Sequence, residues 1–311
     1  MITGWRQLAR TPFDIAAGNP VFEREISRLH RVWSRARMRR TSRQALAHAA
    51  LAVIAAWLLL WAASASGYGA AQPNYIYQAS SNVVFWLLLI ALGSGTLLDM
   101  QALRAALPSI SSEVNARRWE LLRLTPLRES SIVSAKHAAA QLRVWRALAL
   151  VVGLRAATAA LFMVNVFGLS YVLSGMPPLA RNDLAAIPLI LATVAVLTVL
   201  FVFEPLWRVR TMTALGMVIS SYVLDSPLST LIAAIALLAV WLAQAVIFMT
   251  LLTALWTVLF PVVMFGADAL VASAIVLGFG VVIAVSIFGF HTVLVRWCLR
   301  RVHRRISRVA N

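Results

Sequence analysis

The fold is decided by residues 229–257, STLIAAIALLAVWLAQAVIFMTLLTALWT, which contain no charged side chain. A helix needs about 20 consecutive apolar residues to cross a hydrocarbon core about 30 Å thick. Similar runs recur along the 311 residues, of which 61% are hydrophobic and 13% charged. Soluble domains carry about a quarter charged residues, and the strands of membrane β-barrels alternate in hydrophobicity. The sequence therefore predicts an all-α integral membrane protein.

The apolar runs predict six transmembrane helices in a single domain that covers residues 1–311. The predicted spans are about 44–66, 83–98, 147–173, 184–203, 229–257 and 270–295. They are connected to an arm, two inner loops and a tail, at 1–43, 99–146, 204–228 and 296–311. Two alternatives stay open, a seventh partial segment at 211–224 and a re-entrant turn at 258–269, which contains Pro261 and Gly266.

The placement of the basic residues predicts the orientation of the chain. The formal net charge is +17, and 26 of the 28 Lys and Arg residues lie in the arm, the inner loops and the tail. Basic loops remain on the cytoplasmic side of a membrane. We therefore expect both termini on the cytoplasmic side of the cytoplasmic (inner) membrane. The same rule explains the charge without a nucleic-acid partner.

The arm is predicted to contain an amphipathic helix. Asn19 is a favourable N-cap and Pro20 a favourable first helical residue. An apolar stripe at helical spacing follows, formed by Phe22, Ile26, Leu29 and Trp33. A basic helix with such a stripe lies at the membrane interface and binds anionic membrane lipids. A solvated basic tail is the alternative.

The first inner loop is predicted to contain a second helix, over residues 113–124. Thr125-Pro126 should end it, because proline disfavours the α conformation at the residue before it. Its apolar residues form two patches, with Val114, Leu121 and Leu124 on one, Trp119 and Leu122 on the other, and Arg117, Arg118 and Arg123 between them. Such a helix can contact its own bundle and a partner together. A plain interfacial helix is the alternative.

Charges at or inside spans are candidate functional residues, because they are costly in a membrane. The candidates are Arg155, Glu204 and Asp268. Arg155 either snorkels to the inner interface or pairs with Glu204, and Glu204 is either that partner or a boundary residue neutralised by Arg208. Asp268 either faces the outer water or lines an exit vestibule.

Motifs of known catalytic chemistry are not found in the sequence. The one lysine, Lys136, lies in IVSAKHA, which lacks the glycines of a phosphate-binding loop. The five histidines have no metal-ligand spacing, and there is one cysteine. We therefore expect no catalytic site, metal or cofactor on this chain. A further alternative for function, an integral membrane enzyme, would require a cluster of buried polar residues at one depth in the membrane.

The first inner loop resembles the coupling region of type 2 ABC transporter permeases, which reads E…R-x-W/L-E-L-L-x-x-T-P-L followed by E-I-V-x-x-K. The matching residues are Glu113, Arg118, Trp119, Glu120, Leu121, Leu122, Thr125, Pro126, Leu127, Ile132, Val133 and Lys136. The arm segment NPVFEREISR resembles the family's opening helix, and EPLWRVRTMTALGMVIS is similar to its second inner loop. Arg117-Arg118 and Ala135 stand where the family usually has glycine.

The resemblance implies a permease subunit of an ABC exporter. It would pair with a second permease subunit, as a homodimer or heterodimer, and with cytosolic ABC ATPase subunits that bind ATP and Mg²⁺. The residues it assigns to ATPase coupling are Glu113, Arg117, Arg118, Trp119, Glu120, Leu122, Thr125 and Pro126. Closure of the ATPases would push on this coupling helix and rock the bundle. The alternative is a non-transporting membrane scaffold that recruits a cytosolic partner through the same loop.

Overall fold

The computed structural model describes residues 11–16, 18–27, 34–67, 73–119, 124, 126–165, 187–223, 226–264 and 269–308. These residues are helical almost throughout and include no strand. The helices are α1 Pro12–Ile15, α2 Pro20–Ser27, α3 Arg35–Gly67, α4 Pro73–Ala106, α5 Pro108–Asn115, α6 Glu129–Arg143, α7 Trp145–Met163, α8 Ile187–Tyr222, α9 Ser226–Met264 and α10 Ala269–Arg308.

Six helices, α3, α4, α7, α8, α9 and α10, are long and apolar enough to cross a membrane. The prediction of an all-α, multi-pass architecture is therefore confirmed. Several helices extend beyond the predicted spans, because an apolar run marks only the part of a helix that lies in hydrocarbon. Met38 near the start of α3 and Ile306 near the end of α10 share one apolar cluster. Both ends of the described chain therefore lie at the same end of the bundle, as an even number of crossings requires.

We call this end the basic end; it comprises α1, α2, α5, α6, the first turns of α3 and the last turns of α10. Its apolar core includes Phe22, Trp119, Ile132, Met217 and Ile306. Further into the bundle, α8 takes a central position and contacts α4, α7, α9 and α10. Helix α8 is therefore the element that joins the basic end to the spans.

Most of the predicted inner loop 204–228 is helical, because α8 continues to Tyr222 through Pro205. The suggested seventh segment at 211–224 is, as far as Tyr222, the buried end of that helix. Its tight packing explains the burial. A Cβ atom added at Gly216 would lie 2.8 Å from the Cβ atom of Ala106 on α4. Helix α9 likewise continues through Pro261 to Met264, and residues 265–268 of the predicted re-entrant turn lie outside the described residues.

The predicted interfacial helix packs on protein. Helix α2 begins at Pro20 as predicted, but Phe22 and Ile26 are only 3% and 8% exposed and belong to the core of the basic end. Helix α6 offers them a buried face, which includes Ala135 and Ala138. The other two residues of the stripe, Leu29 and Trp33, lie outside the described residues.

The predicted helix over 113–124 differs from the structure. Helix α5 begins at Pro108 and ends at Asn115, and Arg117 follows with a φ of 52°. The Arg117 N–H donates to the Val114 carbonyl oxygen at 3.0 Å, as is common where a left-handed residue ends a helix. The predicted helix is therefore interrupted at Ala116 and Arg117, and Arg118 and Trp119 after the break are helical again.

Candidate functional site

Four helices meet at the basic end in an ionic cluster around Lys136, which we call the latch cluster. Lys136 Nζ lies 3.0 Å from Glu25 Oε1 and 3.5 Å from Glu113 Oε1. Arg143 Nη2 lies 3.0 Å from Glu25 Oε2, and Arg143 Nη1 donates to the Ala105 carbonyl oxygen at 3.0 Å. The cluster thus links α2, α4, α5 and α6, with two cations facing two carboxylates. The attraction within a buried ion pair offsets the cost of removing its charges from water only when the remaining donors and acceptors of both groups are hydrogen-bonded.

Asn19 fixes the arm to the same helix, α6. Its Oδ1 accepts from the Val21 N–H at 3.0 Å, as predicted for an N-cap. Its Nδ2 donates to the Ser131 carbonyl oxygen at 2.9 Å and to Ser131 Oγ at 2.8 Å. One side chain therefore both starts α2 and attaches it to α6.

The predicted coupling residues divide into buried and exposed groups. Glu113 is in the latch cluster, and Trp119 is 7% exposed, within the apolar core. The exposed residues are Arg117, Arg118 and Pro126. Glu120, Leu122 and Thr125 lie outside the described residues. Leu124, a turn residue between α5 and α6, is 83% exposed.

Helices α5 and α6 are both hydrogen-bonded to α8. Ser220 Oγ accepts from the N–H groups of Ile110 and Ser111 at 3.1 and 2.9 Å, and both donors lie in the first turn of α5. His137 Nε2 lies 3.1 Å from the Arg210 carbonyl oxygen. Burial lowers the pKa of His137 to about 4, so its imidazole is neutral near pH 7.

A second ionic cluster, the span cluster, lies among α4, α7, α8 and α9. Arg155 Nη1 lies 2.5 Å from Glu204 Oε2, and Arg208 Nη1 lies 3.1 Å from Glu204 Oε1. Arg208 also pairs with Asp99, whose Oδ2 accepts from Trp241 Nε1 at 2.9 Å. The carboxylates of Glu204 and Asp99 balance the two guanidinium groups, so the cluster is neutral as a whole.

Arg155 also satisfies backbone groups. Pro205 has no N–H, so the Phe201 carbonyl, four residues earlier in α8, loses its helical donor. Arg155 Nη1 donates to that oxygen at 2.9 Å, and Arg155 Nε donates to the Ala91 carbonyl oxygen at 3.2 Å. The approach is close, since a Cβ atom at Gly95 would lie 2.8 Å from Arg155 Nη2. The proline and the arginine therefore form one structural unit.

A chain of neutral hydrogen bonds extends from α8 to α10 and α9. Gln244 Nε2 lies 2.9 Å from His291 Nε2, and His291 Nδ1 lies 2.8 Å from Thr211 Oγ1. Thr211 Oγ1 donates to the Trp207 carbonyl oxygen at 3.0 Å. This pattern fits an imidazole that accepts from Gln244 and donates to Thr211.

Sequence reasoning located part of the span cluster. Arg155 is 1% exposed and paired with Glu204, which is the pairing alternative and not the snorkelling one. Glu204 contacts Arg208 as well, so its two suggested roles coincide. Asp99 falls at the first position of the predicted inner loop 99–146 and is not among the predicted site residues, although it is fully buried. The signal for its burial is that small and apolar residues continue after it. Asp268 lies outside the described residues.

Within the described ranges, no group of three or more His, Cys, Asp or Glu side chains could hold a metal ion. Comparisons with protein-family models, curated proteins and solved structures gave no match.

Proposed function

We propose that this chain is the membrane-spanning permease subunit of an ABC exporter, coupling ATP hydrolysis on a separate ATPase to substrate movement. One observation carries the proposal. Three segments that resemble the family, in the arm, the coupling loop and the start of α6, contribute Glu25, Glu113 and Lys136 to a single buried cluster. Glu25 and Lys136 are 111 residues apart. The three segments that carry the resemblance are therefore in contact in this chain, which supports treating them as one unit.

The exposed residues described between α5 and α6 are suited to contact with a cytosolic partner. The positive-inside rule assigns the basic end to the cytoplasm of the inner membrane. Arg117, Arg118 and Leu124 are exposed there. Leu124 is a candidate contact for a partner, because it is apolar, 83% exposed and outside the spans. We assign this surface to the ABC ATPase, which would bind ATP and Mg²⁺. Trp119 contributes indirectly, by packing the loop on the core.

The hydrogen bonds to α8 offer a route from this loop to the spans. A push on α5 and α6 would be transmitted through Ser220 and the Arg210 carbonyl to α8. Helix α8 carries Glu204 and Arg208, whose partners Arg155 and Asp99 lie on α7 and α4. A shift of α8 would change these pairings, which gives the differential contacts that an ATP-driven transition between two states requires. A second permease subunit would complete the substrate path.

The partner can be tested by purifying the tagged full-length chain from its native membranes in mild detergent. We expect a stoichiometric protein with an ATP-binding phosphate loop. Leu124→Asp should lose that partner, because a carboxylate replaces the apolar contact, whereas Leu124→Met should keep it. Once separated from the partner, the chains of both variants should elute as the wild-type chain does by size exclusion, since Leu124 is outside the core.

Transport is tested on the reconstituted pair. Glu120→Gln should leave the ATPase bound but reduce the stimulation of its activity by the permease. Glu23→Gln, which removes an exposed carboxylate on α2 away from the proposed ATPase contact, is the matched control. The proposal fails if no ATPase accompanies the wild-type chain. A stoichiometric cytosolic partner without ATPase activity, lost from Leu124→Asp, would instead identify the scaffold alternative.

A further inference from the structure

A basic groove lies between the first turns of α3 and α7 at the basic end. Its volume is about 850 Å³. The charged or ionisable residues that line it are Arg37, Arg40, His48 and Arg146. None of the described lining residues is a carboxylate, so the groove has a strong net positive charge.

The position of the groove relative to the spans follows from how α3 and α7 pack. Trp145 Nε1, at the start of α7, donates to Ser42 Oγ on α3 at 2.8 Å. Further along, a Cβ atom at Gly153 would lie 2.9 Å from the Ala49 Cβ atom, so the two helices run in close contact away from the groove. Arg40 precedes residue 44, the start of the predicted span on α3, by about 6 Å at 1.5 Å per residue. The groove is therefore at the depth of the lipid headgroups.

Apolar surface continues from the groove toward the hydrocarbon. Leu150 lines its inner side and is 38% exposed, and Leu46 and Leu51 on α3 are 37% and 65% exposed. A ligand that fits both parts has an anionic head at the arginines and an aliphatic tail along the leucines. Arginine is suited to such a head because its guanidinium group binds phosphate oxygens in a bidentate manner.

We propose that this groove binds the phosphate headgroup of an anionic phospholipid, with an acyl chain lying along α3 and α7. The site is separate from the arm helix, and the proposal does not rest on the transporter function. Binding there would fix the α3–α7 pair in the leaflet at the basic end. A zwitterionic phospholipid would bind more weakly, because its cationic head group meets the arginines unfavourably.

The test uses the full-length chain in mild detergent, mixed with dioleoyl phosphatidylglycerol or dioleoyl phosphatidylcholine and analysed by native mass spectrometry. Each arginine near an anionic lipid surface contributes about fivefold to the affinity. Arg40→Gln with Arg146→Gln should therefore weaken phosphatidylglycerol binding about 25-fold. Arg40→Lys with Arg146→Lys should retain most of the binding, because the positive charge is kept.

The matched control is Arg300→Gln with Arg304→Gln, which removes two exposed charges at the end of α10. We expect its lipid binding to stay within about twofold of the wild type, since both arginines are outside the groove. An equal loss in the control would overturn the proposal in favour of general charge attraction. Equal retention of phosphatidylcholine by the wild type would also overturn it. Millimolar inorganic phosphate should not compete; full competition would identify a soluble-anion site instead.

Discussion

Removing Arg155 should destabilise the bundle by leaving a buried carboxylate with fewer partners. The wild-type span cluster contains two guanidinium groups and two carboxylates. Arg155→Met makes it negative by one charge and removes the donors to the Phe201 and Ala91 carbonyls. Loss of one partner of a buried ion pair costs about 3–5 kcal/mol. Glu204 retains Arg208, and its side chain is 17% exposed, so we expect the lower end, about 3 kcal/mol.

The compensating change follows from the same charge balance. Glu204→Gln makes the cluster positive by one charge and should lower the free energy of unfolding by about 2 kcal/mol. The double variant, Arg155→Met with Glu204→Gln, leaves Arg208 paired with Asp99, so its cluster is neutral. We therefore expect the double variant to lose about 3 kcal/mol instead of the additive 5, a coupling of about 2 kcal/mol. Unfolding by SDS in mixed micelles, followed by circular dichroism, measures these differences.

Arg104→Met is the matched control, since Arg104 is exposed on α4, the helix that carries Asp99. It should stay within about 0.5 kcal/mol of the wild type. The reasoning would be refuted if Arg155→Met cost less than about 1 kcal/mol. Strict additivity of the two substitutions would refute it equally, because the coupling depends on the shared charge balance.

Three further predictions concern the packing of the basic end and of α8. Burial lowers the pKa of His137 from an ordinary 6.5 to about 4 in the folded chain. The folded state is therefore fully stable above pH 6.5, where the imidazole is neutral in both states, and loses stability as the pH falls toward 4. We expect a loss of about 2 kcal/mol between pH 7.5 and 5, measured by the same unfolding assay, and a flatter profile in His137→Gln; identical profiles would contradict the burial argument. Gly216→Ala should lower the stability by about 1–3 kcal/mol, because the added Cβ atom pushes α8 away from α4. In Gly93→Ala the added Cβ atom meets nothing within 4 Å, so we expect the melting temperature of that variant to stay at the wild-type value. Equal losses of stability in the two variants would exclude close packing as the cause. Arg117→Gly should raise stability by up to about 1 kcal/mol because it relieves the positive φ, and Arg118→Gly should not; a loss in Arg117→Gly would contradict the left-handed assignment.

Local sequence signals predicted where α2 begins but not where α8 ends, and both outcomes have physical causes. Asn19 and Pro20 fixed the start of α2 because capping depends on adjacent residues only. The continuation of α8 beyond Glu204 was missed because Glu204, Arg208 and Arg210 are typical of a loop in water. Inside a bundle, charges on one helix are tolerated when another helix supplies the partner, and for Arg208 that partner is Asp99, 109 residues away. No spacing rule covers such a pair.

The span cluster combines two costly features that offset each other. Pro205 leaves a carbonyl without its donor, and Arg155 places a charge among apolar helices, and each alone is unfavourable at that depth. Together they provide a fixed contact between α7 and α8. The Phe201 carbonyl oxygen accepts from Arg155, and the carboxylate of Glu204 neutralises the charge of Arg155. Replacing Pro205 with alanine would restore the helical donor and weaken this contact. The penalty of Arg155→Met should therefore be smaller in the Pro205→Ala background, by about 1 kcal/mol for the one hydrogen bond no longer needed. An unchanged penalty would show that the hydrogen bond from Arg155 to the Phe201 carbonyl does not contribute to it.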